Sequence, residues 1–233
     1  MGTIIILAGG LGTRIKDTYP DIPKCLIPIG KKTFLEHQIR LLEKANFQKI
    51  ILSLGHLGHL VEQTIDKIEA NIDIHCIYDG DSFLGTGGAI KKIIKEERLD
   101  KEFFVMYGDS YLPINYQKLF KFILKNSSKN LMCIKENKNP DHINNVILES
   151  SMKIKLYDKL NYDIQMSYID YGLNLIEPKY YLKFSKNKIH FDLSEFHNYA
   201  SIDCMLDAYI IKEKFYEVGS LNGISELKKF LSK

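Results

Sequence analysis

The chain has 233 residues and a mass of 26.9 kDa, a length that favours one α/β domain, with a lobe inserted in it, over two full domains. Apolar residues make up 45% and charged residues 26%, which is typical of a globular chain and excludes a disordered one. The formal net charge is +3 and only three of the 32 basic residues are arginine, so no nucleic-acid partner is expected.

Short strands and amphipathic helices alternate in the first half of the chain. Runs of β-branched and apolar residues predict the strands, and apolar residues three or four positions apart predict the helices. In chain order the predictions are a strand at Thr3–Leu7, a helix at Phe34–Ala45, a strand at Lys49–Leu54, a helix at Leu57–Ile68, a strand at Ile72–Tyr78, a helix at Gly88–Lys95 and a strand at Glu102–Tyr107. This alternation predicts a Rossmann-like α/β fold, a mixed, mostly parallel sheet with helices on both faces.

The second half has a different pattern, in which strands follow one another closely. Strands are predicted at Asn145–Leu148, Ile154–Tyr157 and Tyr168–Ile176, in the order of a meander, and Lys135–His142 is polar and loop-like. We interpret residues from about 110 to 190 as the inserted lobe, which covers one side of the sheet. Three helices are predicted here and beyond, at Pro178–Phe184, Leu193–Tyr199 and Gly223–Leu231.

Parallel sheets bind ligands beyond the carboxyl ends of their strands, so the loops after Leu7, Tyr78 and Tyr107 are the places to look for a site. The first of these loops is rich in glycine. Glycines let a backbone approach a polyphosphate closely, successive N–H groups bind anions, and an arginine adds a planar cation. The spacing fits neither GxGxxG nor GxxxxGK[ST]. The segment comprises Leu7, Ala8, Gly9, Gly10, Leu11, Gly12, Thr13 and Arg14.

A lysine follows ten residues later, between two prolines. Pro23 and Pro28 stiffen the segment and hold it extended, so Lys24 is delivered at a fixed place. Alone it would be an ordinary surface lysine. In combination, GGLGTR followed by PK at this spacing is a specific signal for phosphate chemistry.

These residues closely resemble the sugar-1-phosphate nucleotidylyltransferases, whose pattern is GGxGTR followed by PK. The resemblance runs from residue 3 to about residue 231, and the LGTGGA segment and the FYEVGS ending are most similar to the heptose-1-phosphate guanylyltransferase branch. Other matching segments, in order, are Leu84–Ala89 with LGTGGA, Gly108-Asp109 with a metal-binding GD pair, Tyr157–Lys159 with a Glu-Lys pair, Tyr168–Gly172 with an Asn-Ala-Gly-like strand and Phe215–Ser220 with a closing Asp-Ile-Gly-Thr element.

The resemblance implies a reaction in which an NTP and a sugar 1-phosphate give an NDP-sugar and pyrophosphate. A sugar-phosphate oxygen attacks the α-phosphorus in line, so catalysis needs positioning and charge neutralisation without a covalent protein nucleophile. Implied substrates are GTP and a heptose or mannose-like sugar 1-phosphate. Two alternatives stay open: a cytidylyl- or uridylyltransferase on another phosphorylated metabolite, and a non-catalytic regulatory homologue that binds nucleotide sugars.

The resemblance also implies one domain over residues 1–233, with a nucleotide-binding part at about 1–110, a sugar-binding lobe at about 110–190 and a closing part at about 191–233. Mg²⁺ would be held by Asp109 and Glu217. The implied catalytic residues are Arg14, Lys24, Asp109 and Lys159. The implied nucleotide-binding residues are Leu7, Ala8, Gly9, Gly10, Gly12, Thr13, Asp79, Gly85, Thr86 and Gly87. The implied sugar-binding residues are Asn145, Asp158, Lys159 and Asp170.

Some residues depart from the family pattern and affect specificity. Glu217 stands where the pattern has Asp; it is one methylene longer and can still bind Mg²⁺, but its reach changes. Asp158 stands where the pattern has Glu and Asp170 where it has Asn, so the sugar contacts should differ. The residues around Asn145 lack the expected glycine. Asp79, in the loop before Leu84–Ala89, favours guanine because a carboxylate accepts the N–H donors of that base, and the amino group of cytosine is the alternative.

The remaining features predict structural roles and a setting. His56 and His59 are interpreted as part of a loop that enters a helix, Cys25 as a packed cysteine, and the Lys91–Lys95 run as a solvated helix face. The four cysteines are far apart and the longest aliphatic run, Ile4–Ala8, is short. We therefore expect a cytoplasmic protein without a membrane partner, and a homodimer is left open.

Overall fold

A computed structural model describes residues 2–10, 18–80, 84–137 and 143–232. The chain forms two compact units. The first unit is formed from residues 1–83, 106–113 and 214–233, and the second from residues 84–105 and 114–213. The division near residues 110 and 190 that the sequence suggests stays a prediction.

The described residues form thirteen strands and seven α-helices. The strands are β1 (Thr3–Leu7), β2 (Pro28–Ile29), β3 (Lys32–Thr33), β4 (Lys49–Leu54), β5 (Asp73–Tyr78), β6 (Phe103–Tyr107), β7 (Ser110–Tyr111), β8 (Leu131–Glu136), β9 (Val146–Leu148), β10 (Ile154–Tyr157), β11 (Tyr168–Ile176), β12 (Asp207–Ile210) and β13 (Tyr216–Glu217). The helices are α1 (Phe34–Lys44), α2 (Gly58–Ile65), α3 (Gly85–Glu96), α4 (Tyr116–Asn126), α5 (Pro178–Phe184), α6 (Leu193–Ile202) and α7 (Leu221–Leu231).

Parallel strands form the centre of the first unit. β1 pairs with β4 from Thr3↔Lys49 to Leu7↔Ser53, and β4 pairs with β5. Residues Ile4–Ile6 are fully buried, as expected for a parallel sheet that is covered on both faces. Because the strands are parallel and in register, the loops after β1, β4 and β5 leave from the same edge.

Two short antiparallel pairs complete the first unit. β7 pairs with β13, which puts Ser110 opposite Glu217, and β2 pairs with β3. A buried apolar cluster packs these pairs against α1 and α7. Its members are Ile27, Ile29, Phe34, Tyr111, Val218, Ile224 and Leu227. The cluster therefore fixes the segments around residues 109 and 217 next to each other.

The second unit contains a mixed arrangement of strands. β9 pairs antiparallel with both β10 and β11, β11 also pairs antiparallel with β8, and β12 pairs parallel with β8. The spatial order β10-β9-β11 differs from a meander, because β10 and β11 are neighbours in sequence and not in the sheet. A cluster of rings packs α5 and α6 together, formed by Tyr180, Tyr181, Phe184, Phe191 and Phe196.

All the predicted elements are present. β1, β4, β10, β11 and α5 have the predicted bounds, and the others are displaced by three residues or fewer at either end. The sequence patterns missed α4, β8, β12 and the four two-residue strands β2, β3, β7 and β13, and β8 extends into the segment interpreted as a loop. Across the described ranges, no helix has the length and apolar character that a membrane span requires.

Candidate active site

The glycine-rich turn follows β1 at the carboxyl edge of the parallel strands. The backbone N–H of Ala8 donates to the carbonyl of Ser53 (2.9 Å), so the turn starts from a fixed position. Gly9 and Gly10 are described, and Gly10 is exposed, with no atom of the described residues within 4 Å of where its Cβ would lie. Three predicted phosphate ligands, Gly12, Thr13 and Arg14, lie outside the described residues.

Close packing brings Asp79 beside this turn. A Cβ on Gly9 would lie 3.2 Å from Asp79 Oδ2, and a Cβ on Gly55 would lie 2.7 Å from the carbonyl oxygen of Gly9. The Ser53 hydroxyl donates to Asp79 Oδ1 (3.2 Å), and the Asp79 N–H donates to the carbonyl of Leu54 (2.8 Å). The predicted base-reading carboxylate is thus anchored next to a predicted nucleotide-binding glycine.

Gly108 brings the predicted metal ligand Asp109 to the same edge. The N–H of Gly108 donates to the carbonyl oxygen of Leu7 (3.0 Å), and a Cβ on Gly108 would lie only 2.5 Å from that oxygen. On the other side of Asp109, the buried Gln38 donates from Nε2 to the carbonyl of Ser110 (2.9 Å). Asp109 is therefore held between two backbone anchors, of which only the glycine was visible in the sequence.

Lys24 meets Asp109 although 85 residues separate them. Lys24 Nζ lies 3.4 Å from Asp109 Oδ2, and the exposed fractions of the two side chains are 18% and 30%. Lys24 starts a 3₁₀ turn whose next residue, Cys25, is buried; burial raises the pKa of that thiol to about 12. Cys25 thus packs as expected and anchors the turn that presents Lys24.

Glu217 is brought beside Asp109 by the pairing of β7 with β13. The N–H of Val218 donates to the carbonyl of Asp109 (3.0 Å). The Glu217 carboxylate accepts from the N–H of Gly219 (2.7 Å, Oε2) and from the hydroxyl of Ser220 (2.6 Å, Oε1). Asp109, directly before β7, and Glu217, in β13, supply two carboxylates, a donor set that suits Mg²⁺, which takes its other ligands from phosphate oxygens and water.

The glycines of Leu84–Ala89, in the second unit, serve close packing. Gly85 has a φ of +73°, and its Cβ would lie 2.5 Å from the carbonyl oxygen of Phe191. A Cβ on Gly87 would lie 2.3 Å from the Phe191 ring. The N–H groups of Gly87 and Gly88 both donate to the Phe191 carbonyl (2.9 and 3.3 Å). Two donors at the start of α3 are thereby committed to the protein itself.

The hydroxyl of Thr86 is committed in the same way. It donates to Asp192 Oδ2 (3.0 Å) and accepts from the N–H of Leu193 (2.8 Å). Asp192 caps α6, and with Glu195 it forms a capping box. Sequence reasoning missed Asp192, although the spacing of Asp192 and Glu195 before an apolar run would have indicated a helix start.

Two predicted sugar-binding residues, Asp158 and Asp170, are bonded to a third, Asn145. The N–H of Asp158 donates to the Asn145 carbonyl (2.9 Å), and the N–H of Asp170 donates to Asn145 Oδ1 (3.0 Å). The Asp158 carboxylate accepts from the side chain and backbone of Asn161, which lowers its pKa, and from the N–H of Leu160. Asp170 Oδ1 accepts from the N–H of Gly172 (2.8 Å). Each of the two carboxylates therefore stabilises the backbone that directly follows it.

Lys159 extends from the same strand end. Its Nζ lies 4.0 Å from Asp192 Oδ1, and its side chain is 55% exposed. Lys159 and Asp158 border a cavity of about 510 Å³, which Asn198 and Tyr199 of α6 also line. In the second unit the structure thus groups the predicted sugar-binding residues, while Lys24, Asp79, Asp109 and Glu217 are grouped in the first.

The fold and these segments define a class of protein. Residues 4–160 match the family described as the MobA-like NTP transferase domain, and the chain belongs to this family. The match includes both glycine-rich segments, Lys24 and Asp109.

Individual relatives are more specific. The chain is 29% identical over 212 residues to the D-glycero-α-D-manno-heptose 1-phosphate guanylyltransferase of Campylobacter jejuni. The aligned region covers 89% of this chain and 92% of that protein. The chain is 28% identical over 155 residues to the protein of the same name from Aneurinibacillus thermoaerophilus, which covers 66% of each chain. The resemblance inferred from the sequence is confirmed.

A solved structure matches along nearly the whole chain. HddC from Yersinia pseudotuberculosis superposes with a TM-score of 0.81 and 26% identity, over 99% of this chain and 100% of that one. The structure of HddC complexed with GMP-PN gives a TM-score of 0.78 at 25% identity over the same shares. These matches confirm the predicted fold class, a Rossmann-like α/β fold with a mixed, mostly parallel sheet.

Proposed function

We propose that this chain is a Mg²⁺-dependent sugar-1-phosphate guanylyltransferase, which converts GTP and a heptose or mannose-like sugar 1-phosphate into a GDP-sugar and pyrophosphate. Both relatives carry the heptose 1-phosphate guanylyltransferase name, and HddC has been solved with a guanine nucleotide analogue. The single observation that carries the proposal is the meeting of Lys24 and Asp109 at the carboxyl edge, where Gly108 packs on Leu7 and Ala8 and Glu217 lies opposite Ser110.

The reaction needs no covalent intermediate. A phosphate oxygen of the sugar 1-phosphate attacks the α-phosphorus of GTP, the bond from the α-phosphorus to the bridging oxygen breaks, and pyrophosphate leaves with that electron pair. The half-buried ammonium of Lys24 neutralises charge at the α-phosphate, where low exposure strengthens its effect. Gly9 and Gly10 leave the backbone accessible to phosphate oxygens, and the resemblance assigns the departing pyrophosphate to Arg14.

Asp109 and Glu217 would hold the metal. Mg²⁺, when bound, would neutralise and orient the triphosphate. The donor set fits, because both residues offer carboxylate oxygens from neighbouring strand positions and Lys24 keeps the Asp109 carboxylate in place. The hydrogen bonds from Gly219 and Ser220 orient the Glu217 carboxylate and leave further lone pairs on its oxygens.

Asp79 is our proposed reader of the base. Its carboxylate is anchored by Ser53 beside Gly9, and a carboxylate accepts the two adjacent N–H donors on the Watson–Crick edge of guanine. In the second unit, Lys159 would grip the sugar phosphate, and Asn145, Asp158 and Asp170 would line the sugar. Asn145 supports this role because it connects the other two through its own carbonyl groups.

Pyrophosphate release tests the proposal. GTP, CTP, UTP, dTTP and ATP are each combined with a panel of sugar 1-phosphates that includes heptose and mannose, with Mg²⁺ and with EDTA. We expect release with GTP and a manno-configured sugar phosphate, and only with Mg²⁺. Release with CTP or UTP alone would overturn the role of Asp79, and nucleotide binding without release from any pair would indicate a regulatory homologue.

Lys24→Met tests the carrying observation. We expect kcat to fall about 100-fold or more, because the variant removes a preorganised positive charge at the reacting phosphate. Lys49→Met is the matched control: Lys49 is also partly exposed and lies 3.9 Å from a carboxylate, that of Asp73, at the opposite end of the parallel strands. Equal losses in both variants would contradict the assignment of Lys24.

A further inference from the structure

We propose that Asp192 is a positioning residue that holds Lys159 in register with the start of α3. This inference rests on the proposed function, in which Lys159 grips the sugar phosphate. It concerns only the second unit, where Asp192 contacts two segments that lie far from it in the sequence. One is Thr86 at the start of α3, and the other is Lys159 after β10.

Thr86 fixes the Asp192 carboxylate from one side. The threonine hydroxyl both donates to Asp192 Oδ2 and accepts from the Leu193 N–H, so the cap of α6 and the first turn of α3 share one hydroxyl group. Asp192 Oδ1 accepts from the N–H of Ser194 (2.9 Å). Partial burial of Asp192 opposes ionisation. The hydrogen bonds from Ser194, the charge of Lys159 and the hydrogen bond from Thr86 together outweigh it, so that the pKa of Asp192 is lowered and the carboxylate stays charged.

The other end of α6 fixes the strand that carries Lys159. The N–H of Tyr157 donates to the hydroxyl of Ser201 (3.0 Å), and Asn198 Nδ2 donates to the Tyr157 carbonyl (2.7 Å). Both backbone groups of Tyr157, two residues before Lys159, are therefore bonded to α6. Because Asp192 caps the same helix, the backbone that leads to Lys159 and the anionic partner of Lys159 are both attached to α6.

The contact between Lys159 and Asp192 positions the Lys159 ammonium and adds little to the stability of the fold. Both side chains are about half exposed, and ion pairs of this kind contribute little to the free energy of unfolding. A negative charge near a phosphate site would by itself repel the substrate. If this carboxylate improves substrate binding, it must do so by placing the Lys159 ammonium. Direct repulsion of the phosphate and placement of Lys159 therefore change substrate binding in opposite directions.

Asp192→Asn separates the two effects. The amide keeps one oxygen for the N–H of Ser194, its NH2 group can donate to the Thr86 hydroxyl in place of the bond that Oδ2 accepted, and the charge that attracts Lys159 is removed. We expect the KM for the sugar 1-phosphate to rise and kcat/KM to fall about tenfold, as for a reacting group displaced by a fraction of an ångström. A lower KM would show that Asp192 acts only as a repelling charge, and would overturn the proposal.

Glu195→Gln is the matched control. This variant removes the same charge from the same helix start. Glu195 accepts from the Asp192 N–H and pairs with Lys188, and its carboxylate does not contact Thr86 or Lys159. We expect the KM for the sugar 1-phosphate to stay within about twofold of the wild type. An equal rise in both variants would mean that damage to the helix, and not the lost contact, changes KM.

A double variant tests the connection to α3. Thr86→Val removes the hydroxyl that holds Asp192. If Thr86 reaches Lys159 through Asp192, the combined variant raises the KM for the sugar phosphate no more than the more damaging single change does. Multiplicative effects of the two changes on this KM would contradict the connection.

A measurement without substrates separates this inference from the proposed function. In NMR spectra of the ligand-free chain with ¹³C-labelled lysine, Asp192→Asn should shift the Cε signal of Lys159 and leave that of the exposed Lys186 unchanged. An unchanged Lys159 signal would overturn the positioning role, whether or not the chain is active. Absence of turnover in the wild type, with the expected signal change, would contradict the proposed function alone.

Discussion

At position 108, a side chain as small as a methyl group collides with the backbone of another segment. The carbonyl oxygen of Leu7 lies 2.5 Å and Ala8 Cα lies 2.8 Å from the place of a Cβ on Gly108. Backbone atoms cannot rotate away as the end of a side chain can. The same close approach puts Asp109 beside the glycine-rich turn, so Gly108 connects the candidate metal ligand with the candidate nucleotide-binding segment.

Gly108→Ala should therefore lower both stability and turnover. We expect a loss of about 1 to 3 kcal/mol in the free energy of unfolding, the usual cost of overpacking, together with a lower kcat because Asp109 is displaced. Denaturant unfolding and pyrophosphate release measure the two effects. For stability, Gly10→Ala is the control, since in the part of the chain that the structure describes nothing lies within 4 Å of its Cβ position. Equal stability of the two variants would contradict the steric argument.

Residue chemistry predicted some side chains better than others. The glycines of GGLGTR and the lysine of PK indicated phosphate chemistry, because glycines let the backbone approach phosphate oxygens and the lysine adds a positive charge at a fixed position. By contrast, Thr86 and Gly87 were assigned to the nucleotide by resemblance, and the structure commits the hydroxyl of one and the N–H of the other to the start of α6 and the Phe191 carbonyl. A partner more than a hundred residues away leaves no local pattern in the sequence.

At the scale of single elements, α6 contains a buried polar residue that no described side chain pairs with. His197 is fully buried, neither of its ring nitrogens has a hydrogen-bond partner in the described ranges, and its ring packs edge-on against Tyr157 (5.4 Å between centroids). Burial lowers the pKa of His197 from 6.5 to about 3, so the folded chain keeps this imidazole neutral.

His197 should make stability depend on acid. Below pH 6.5 the unfolded chain binds a proton that the folded chain refuses down to pH about 3, so stability is complete above pH 6.5 and falls as the pH drops through this window. His197→Leu should remove about 1.4 kcal/mol per pH unit from the slope of unfolding free energy between pH 6 and 4. His56→Leu, at an exposed histidine, is the control; an unchanged slope in His197→Leu would contradict the neutral, buried state.

Elements were predictable from the sequence where packing follows a local period. β1 and β4 are runs of apolar residues that a parallel sheet buries on both faces, so their bounds were predicted without error. β8 and β12 stabilise each other by parallel pairing across about 75 residues, which no local period reveals. The Lys91–Lys95 run was interpreted as a solvated face, which is wrong for Lys91: its Nζ donates to the carbonyls of Ser185 (2.6 Å) and Lys188 (2.5 Å) after α5.

At the scale of the whole molecule, each of the two units is formed from segments that are not consecutive in the sequence. The chain passes between the two units after residues 83, 105, 113 and 213, so neither unit is one continuous segment. The candidate nucleotide residues are correspondingly divided, with Gly9 and Asp79 in the first unit and Gly85–Gly87 in the second. A linear division of the sequence into a nucleotide part and a sugar part could not anticipate this arrangement.

Nucleotide binding should stabilise the chain against heat. A ligand at 100 times its Kd adds about 2.7 kcal/mol to the free energy of unfolding. For a chain of this length that corresponds to a rise in Tm of about 5 to 10 °C. With Mg²⁺ present, GTP should raise Tm more than CTP or UTP at equal concentration, as followed by differential scanning calorimetry. Asp79→Asn should reduce the difference; an equal response to all three nucleotides would contradict base reading.

The four cysteines differ in a way that has a practical use. Cys25 and Cys133 are buried, Cys76 is half-buried, and burial raises the pKa of each of these three thiols, so they are poor nucleophiles. Cys204 is exposed and follows α6 by two residues. A maleimide fluorophore would therefore attach to the native chain at one site, at the end of the helix that holds Lys159, and its emission could follow that helix during turnover without any engineered cysteine.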